Sequence, residues 1–135
     1  MANVLDDLAA RIATVISGTV GTDVFKSILP PEPDAVVSVF ETGGQPPEKR
    51  LGTKGIDWER PGIQVVARGG PDDYATPRAT LQTVFESLAE IEAEDLSGTR
   101  YYLSEPLQQP FALDRDAQSR PSIAFNILLT KDKNS

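Results

Sequence analysis

The chain has 135 residues and a net charge of −7, and it contains neither cysteine nor histidine. Disulfides, thiolate metal sites, Cys nucleophiles, Ser–His–Asp triads and His-ligated zinc are therefore excluded. An acidic chain also lacks the surplus of Lys and Arg that wrapping nucleic acid requires.

The length fits one domain, 1–135, able to bury roughly two thirds of the surface that its unfolded form exposes. No apolar run approaches the roughly 20 residues of a membrane span, and the N-terminus lacks the basic and apolar regions of a signal peptide. A soluble protein made in a cytoplasm is the expectation.

From Asn3 to Ser17 the apolar residues Val4, Leu5, Leu8, Ile12, Val15 and Ile16 recur at spacings of three and four. That is the stripe of an amphipathic helix. Asn3 can cap it, Asp6 and Asp7 suit its positive end, and Gly18 offers a stop. Asp23 to Leu29 is a short strand candidate that ends at Pro30-Pro31. Ala35 to Glu41 is β-branched and apolar on both faces, as in a strand inside a sheet.

Residues 43–62 mix Gly, Pro and both charges without periodicity, so a long loop is expected there. It holds Lys49, Arg50, Lys54, Trp58 and Arg60, and the chain's one Trp is either a lid over its own core or an anchor in a partner. Ile63 to Arg68 is the next strand. Leu81, Val84, Phe85, Leu88 and Ile91 predict a second helix, with Thr76-Pro77 as cap and first-turn proline and Gly98 as its end. Asp72 to Ala75 could be a separate turn before a bend at Pro77. The outer helix face carries Glu86, Glu90, Glu92 and Glu94.

Thr99 to Glu105 is read as a strand with Tyr101 and Leu103 on one face and Tyr102 on the other. Ser122 to Lys131 alternates cleanly, with Ile123, Phe125, Ile127 and Leu129 on one face. Between them lies a polar loop, Gln108 to Arg120. The expected fold class is α+β: one mixed, mostly antiparallel sheet of about five strands with two helices packed on one face. The opposite sheet face, partly apolar, must meet water or another molecule.

Chemistry finds little support. Asp114-Arg115-Asp116 begins like a calcium loop, but Ser119 and Phe125 stand where such a loop needs Gly and a bidentate Glu. Asp72-Asp73 reads as a dipole complement at a helix start. Gly43-Gly44 and Gly69-Gly70 continue into no phosphate-binding fingerprint. Without a nucleophile, base and orienting partner, no catalytic, cofactor or metal residue is expected. A carboxylate enzyme built on Asp72, Asp73, Asp114 and Asp116 is the remote alternative.

The succession of features resembles a known family. It runs from the first helix through Val24 to Pro30, then Glu41-Thr42-Gly43-Gly44 and Glu59-Arg60-Pro61-Gly62-Ile63-Gln64-Val65-Val66-Ala67-Arg68-Gly69. A helix near Tyr74-Ala75 and a closing turn and strand, Asp114 to Leu129, complete it. This is similar to the minor capsid and tail-terminator-like proteins of long-tailed bacteriophages. The resemblance implies a homohexameric ring in the virion tail or neck, assembled in the host cytoplasm, that caps the tail tube and stops its polymerisation. Its implied partners are further copies of itself, the tail tube protein and a head-completion protein, with DNA passing through the lumen and no membrane. A head-side connector is the alternative. Within that picture Lys49, Arg50, Lys54, Trp58 and Arg60 are interface candidates, and Glu86, Glu90 and Glu94 are candidates for an acidic lumen.

Overall fold

The first helix forms where its apolar stripe begins. In the computed structural model, which describes residues 3–48 and 58–132, helix α1 spans Val4–Ile16. A reciprocal cap opens it: the Asn3 side chain accepts from the Asp6 N–H at 3.0 Å, and the Asp6 carboxylate accepts from the Asn3 N–H at 3.0 Å. Such a cap satisfies first-turn donors that have no helical partner and contributes about 1 kcal/mol. The helix stops one residue earlier than Gly18, at Ser17, which takes the left-handed C-cap conformation with φ 56°. Gly18 serves a different need. A Cβ there would lie 2.8 Å from Oδ1 of Asp23, the carboxylate oxygen that accepts the Thr19 N–H.

Strands β1 (Val24–Lys26), β2 (Val36–Glu48) and β3 (Trp58–Arg68) follow. β1 runs parallel to β2, and β2 pairs antiparallel with β3. The long loop expected at 43–62 is corrected here, because residues 43–48 and 58–62 are the outer arms of this hairpin. Periodicity is lost because β2 carries two register shifts, between Thr42 and Gln45 and between Gln45 and Glu48. β1 pairs only with Val37 to Val39, so Pro46 and Pro47 fall on an open edge where no ladder N–H is required.

The second helix, α2, is continuous over Ala75–Ala89. Pro77 sits in its first turn, where its missing N–H costs nothing, and the Asp73 carboxylate, not Thr76, caps the end by accepting the Thr76 N–H at 3.2 Å. The expected run to Gly98 is also corrected. α2 ends at Ala89, and the chain turns into β4 (Glu92–Leu96), a two-residue turn at Ser97-Gly98, and β5 (Thr99–Pro106). Ser97 and Gly98 both have positive φ, 50° and 83°, the geometry that a tight hairpin demands.

The loop expected at 108–120 contains one more short strand, β6 (Phe111–Leu113), and β7 (Ser122–Asp132) completes the sheet. The strand order is β1-β2-β3-β7-β5-β4, with β6 also pairing β7. Among the described residues seven strands thus replace the expected five or so, within the same mixed α+β class.

Both helices cover one face. Leu8 and Ile12 of α1 and Leu81, Val84 and Leu88 of α2 meet Val37, Val39, Ile63, Val65, Phe125, Ile127 and Leu129 of the sheet, all of them buried. Phe85 and Phe125 pack edge to face at 5.1 Å. Each such aliphatic or aromatic side chain contributes about 1.5–3 kcal/mol when fully buried, so this layer dominates the stability of the fold.

Candidate docking surface

Among the described residues the other sheet face carries no helix. Strand parity places Phe25, Phe40, Gln64, Val66, Asn126 and Leu128 on it. One end is closed by the proline-rich segment 29–34, held by two buried arginines. Arg68 donates to the carbonyls of Asp34 at 3.0 Å and Pro33 at 2.7 Å. Arg120 donates to the Pro31 carbonyl at 2.6 Å and to the carboxylates of Asp116 at 2.7 Å and Asp34 at 3.2 Å. Burial, and then the neighbouring charge of Arg120, lowers the pKa of Arg68. Main-chain carbonyls can hold a buried guanidinium without a carboxylate of its own, because its fork presents five donors.

The opposite end of this face stays open and is shaped by a bulge. Tyr101 pairs with Lys131 but Leu103 pairs with Thr130, so an extra residue enters β5 at Tyr102. Tyr101 is fully buried while Leu103 is 43% exposed, which corrects the expected shared face of the two. Tyr102 and Leu103 both lie outside the core. Tyr102 packs against Trp58 with ring centroids 6.3 Å apart, edge to face, and its hydroxyl donates to Asp132 at 2.8 Å. Trp58 is therefore not a lid over its own core: it stands 38% exposed on the outer face. Arg60 reaches Glu105 at 4.0 Å on the same side. The result is a strip of Trp58, Tyr102 and Leu103 whose charged neighbours Arg60, Glu105 and Asp132 have partners within it.

The hairpin arm that carries Trp58 is braced from behind. Lys131, only 1% exposed, donates to Glu59 at 2.8 Å and to the Asp132 carbonyl at 2.9 Å. At the base of the arm the chains approach too closely for any side chain at Gly44, which also has φ +49°. A Cβ there would lie 2.4 Å from the Arg60 carbonyl oxygen and 2.6 Å from the Gly62 nitrogen.

Of the interface candidates read from the sequence, Trp58 and Arg60 come together on the strip, while Lys49, Arg50 and Lys54 lie outside the described residues. The acidic candidates do not share one helix. Glu86 lies exposed on α2 and Glu90 is its C-cap, whereas Glu94 is on β4 and pairs with Arg11 of α1 at 2.5 Å. Of the carboxylates weighed for chemistry, Asp72 pairs with Arg115 at 2.5 Å, Asp116 pairs with Arg120 and Asp73 caps α2, while Asp114 lies exposed on the loop before β7. No group of three or more metal-ligating side chains occurs among the described residues. No helix among them is long and apolar enough to cross a membrane.

A family model described as bacteriophage tail terminator protein matches residues 12–133. The chain belongs to the bacteriophage tail terminator family. Membership places it among the structural proteins of phage virions, as the run of elements had implied. Among solved structures, it is similar to a chain described as the virion of a native gene transfer agent (GTA) particle. The TM-score is 0.58 at 17% identity, over 92% of this chain and 86% of that one, so the likeness is one of fold. No curated protein matches it.

Against this terminator fold, sequence reasoning missed Tyr102 and Leu103 as members of the open strip and Arg68 and Arg120 as a clamp. A signal for the arginines was present, since Arg68 continues the apolar strand Ile63–Ala67 into the sheet.

Proposed function

We propose that this protein is a ring-forming tail terminator. Copies join head to tail into a closed homohexamer that caps the finished tail tube, stops further polymerisation and offers the joining surface for the head. The family match over residues 12–133 carries this reading. The open outer sheet face supports it, because a closing ring needs one surface of each subunit to fit a different surface of its neighbour.

The protein works by docking and not by catalysis. Three of the four carboxylates weighed for acid–base work, Asp72, Asp116 and Asp73, are bound to Arg115, Arg120 and a helix end. DNA passes through the lumen without specific binding. A net charge of −7 per subunit repels phosphates and lets a duplex slide. Glu86 and Glu90 are the groups proposed to face the lumen. Glu94 contributes less to such a wall, because Arg11 compensates its charge.

The test is assembly in the presence of the cognate tube protein. Added terminator should stop tube growth and appear at one tube end in electron micrographs as a ring of about 88 kDa, six times 14.6 kDa. Unchanged tube length, with the protein retained on heads, would replace this reading with that of a head-side connector.

A further inference from the structure

We infer that the outer-face strip of Trp58, Tyr102 and Leu103 is the surface through which one copy of this chain grips the next. The inference rests on the ring reading and names the contact that closes it.

Strand pairing at the sheet edges and contact through the acidic helix side are both poorly suited to joining copies, while exposed apolar residues away from the strip, such as Leu107 and Ile28, leave a different surface for it to meet. The two sheet edges are blunted against strand pairing. β4 presents Glu92, Glu94 and Asp95, and Ala93 leaves the extended conformation with φ 52°. β1 is only three residues long. Charged, short and distorted edges are how folds avoid pairing edge to edge. The helix layer turns Glu86 and Glu90 outward, and copies that each carry −7 repel one another across an uncompensated acidic surface.

The strip has the opposite character. Tyr102 and Leu103 are 39% and 43% exposed, and Trp58 adds the largest side chain in the sequence. Arg60 is balanced by Glu105, and Asp132 is engaged by the Tyr102 hydroxyl. Arg60 and Glu105 offset each other and Asp132 keeps its charge, so the strip carries far less charge than the −7 of the whole chain. The aromatic pair is also ordered before any partner arrives, with Trp58 held against Tyr102 and Tyr102 held on Asp132. A preformed aromatic anchor loses little side-chain entropy on binding, which is what distinguishes an interface hot spot from an exposed apolar residue. The strip sits on the sheet side and the acids on the helix and β4 side, so a strip-to-other-surface contact leaves the acids free to face the lumen.

The experiment uses the full chain and its one Trp. Light scattering coupled to gel filtration, over about 10 μM to about 1 mM, reads association of the weak strength expected before a tube end is present. Trp58 emission should shift to the blue and lose iodide quenching as oligomers form. Leu103→Lys should weaken association at least about tenfold, whereas Thr83→Lys on the exposed face of α2 should not. Circular dichroism checks that both variants fold, and the wild-type fluorescence needs no variant at all.

Oligomers that leave Trp58 emission unchanged, with Leu103→Lys associating like wild type, would overturn the strip but not the ring. Association that stops at a dimer with Trp58 shielded keeps the strip as a self-contact and overturns the ring. A wild-type chain that stays monomeric to about 1 mM, or whose Trp58 is shielded only when tube protein is added, overturns the inference and leaves the ring to the tube-length assay.

Discussion

The hydroxyl of Tyr101 donates a hydrogen bond to Oδ2 of Asp7 at 2.5 Å, tying β5 to the first turn of α1 inside the core. Asp7 is 2% exposed, and its Oδ1 has no hydrogen-bond partner among the described residues. The Lys131 amine lies 5.8 Å from the centre of the Tyr101 ring and pairs with Glu59 on the hairpin arm. A run of polar groups thus links the helix N-terminus, through the sheet, to the base of the arm that presents Trp58.

Removing that hydroxyl leaves a buried carboxylate with less compensation. Tyr101→Phe is expected to cost about 2–3 kcal/mol in urea unfolding. Combined with Asp7→Asn it should show a coupling of at least about 1 kcal/mol in a double-mutant cycle.

The same group sets an alkaline limit. Burial, and then the bond to Asp7, pushes the Tyr101 pKa well above its ordinary value of 10.0. As pH rises, the unfolded chain sheds this proton first. Stability is therefore full below about pH 10 and falls above it, by up to about 1.4 kcal/mol per pH unit. Tyr101→Phe should flatten that slope. A variant with the wild-type slope would assign the alkaline loss to other groups.

Glu59→Gln tests the brace behind Trp58. The Lys131 amine would remain buried with its ionic partner neutralised, and the arm would open more often than the sheet. Hydrogen exchange should speed up in 43–48 and 58–62 and stay unchanged in the β7 core residues Ile123 to Leu129. Uniform acceleration throughout the sheet would mean that the pair supports global stability and not the arm.

Neighbouring glycines in the bulge should behave in opposite ways. Gly44→Ala puts a Cβ against backbone at 2.4 Å in a left-handed conformation, whereas a Cβ at Gly43 would meet nothing within 4 Å. Gly44→Ala should cost about 2–4 kcal/mol and Gly43→Ala less than about 0.5 kcal/mol, measured as the shift in urea midpoint.

Legibility from sequence followed regularity of the backbone. α1 and β7 could be read because their apolar periods run unbroken, and the same alternation puts Lys131 on the core side after Ile127 and Leu129. β4 could not be read, since Glu92, Glu94 and Asp95 have low strand propensity and the strand exists because Ser97-Gly98 folds it back onto β5. The strip was hidden for a related reason. Tyr102 and Leu103 share the outer face only through a bulge, and one inserted residue reverses every later assignment of faces. Trp58 was visible as an anchor candidate, but its neighbour across β7 depends on pairing that no local pattern encodes.

The clamp on segment 29–34 should be sensitive to acid. Burial tends to raise the Asp116 pKa, but hydrogen bonds from the backbone and side chain of Arg120 and from the Gln118 N–H outweigh it and hold it below its ordinary 3.8. A lowered carboxylate pKa contributes stability above the unfolded value, and that contribution is lost as pH falls through the folded one. Protonation weakens the hold on Arg120, whose remaining carboxylate partner is Asp34, while Arg68 beside it is bound only through the carbonyls of Pro33 and Asp34. The NMR resonances of residues 29–34 should therefore shift and broaden below about pH 4 before the helical core responds. Asp116→Asn should show the same loosening at neutral pH. Arg68→Ala, which removes both hydrogen bonds and a buried side chain, should cost about 1–3 kcal/mol at any pH. A segment whose resonances stay unchanged in acid, or that loosens only together with α1 and α2, would show that packing and not the arginine pair holds it in place.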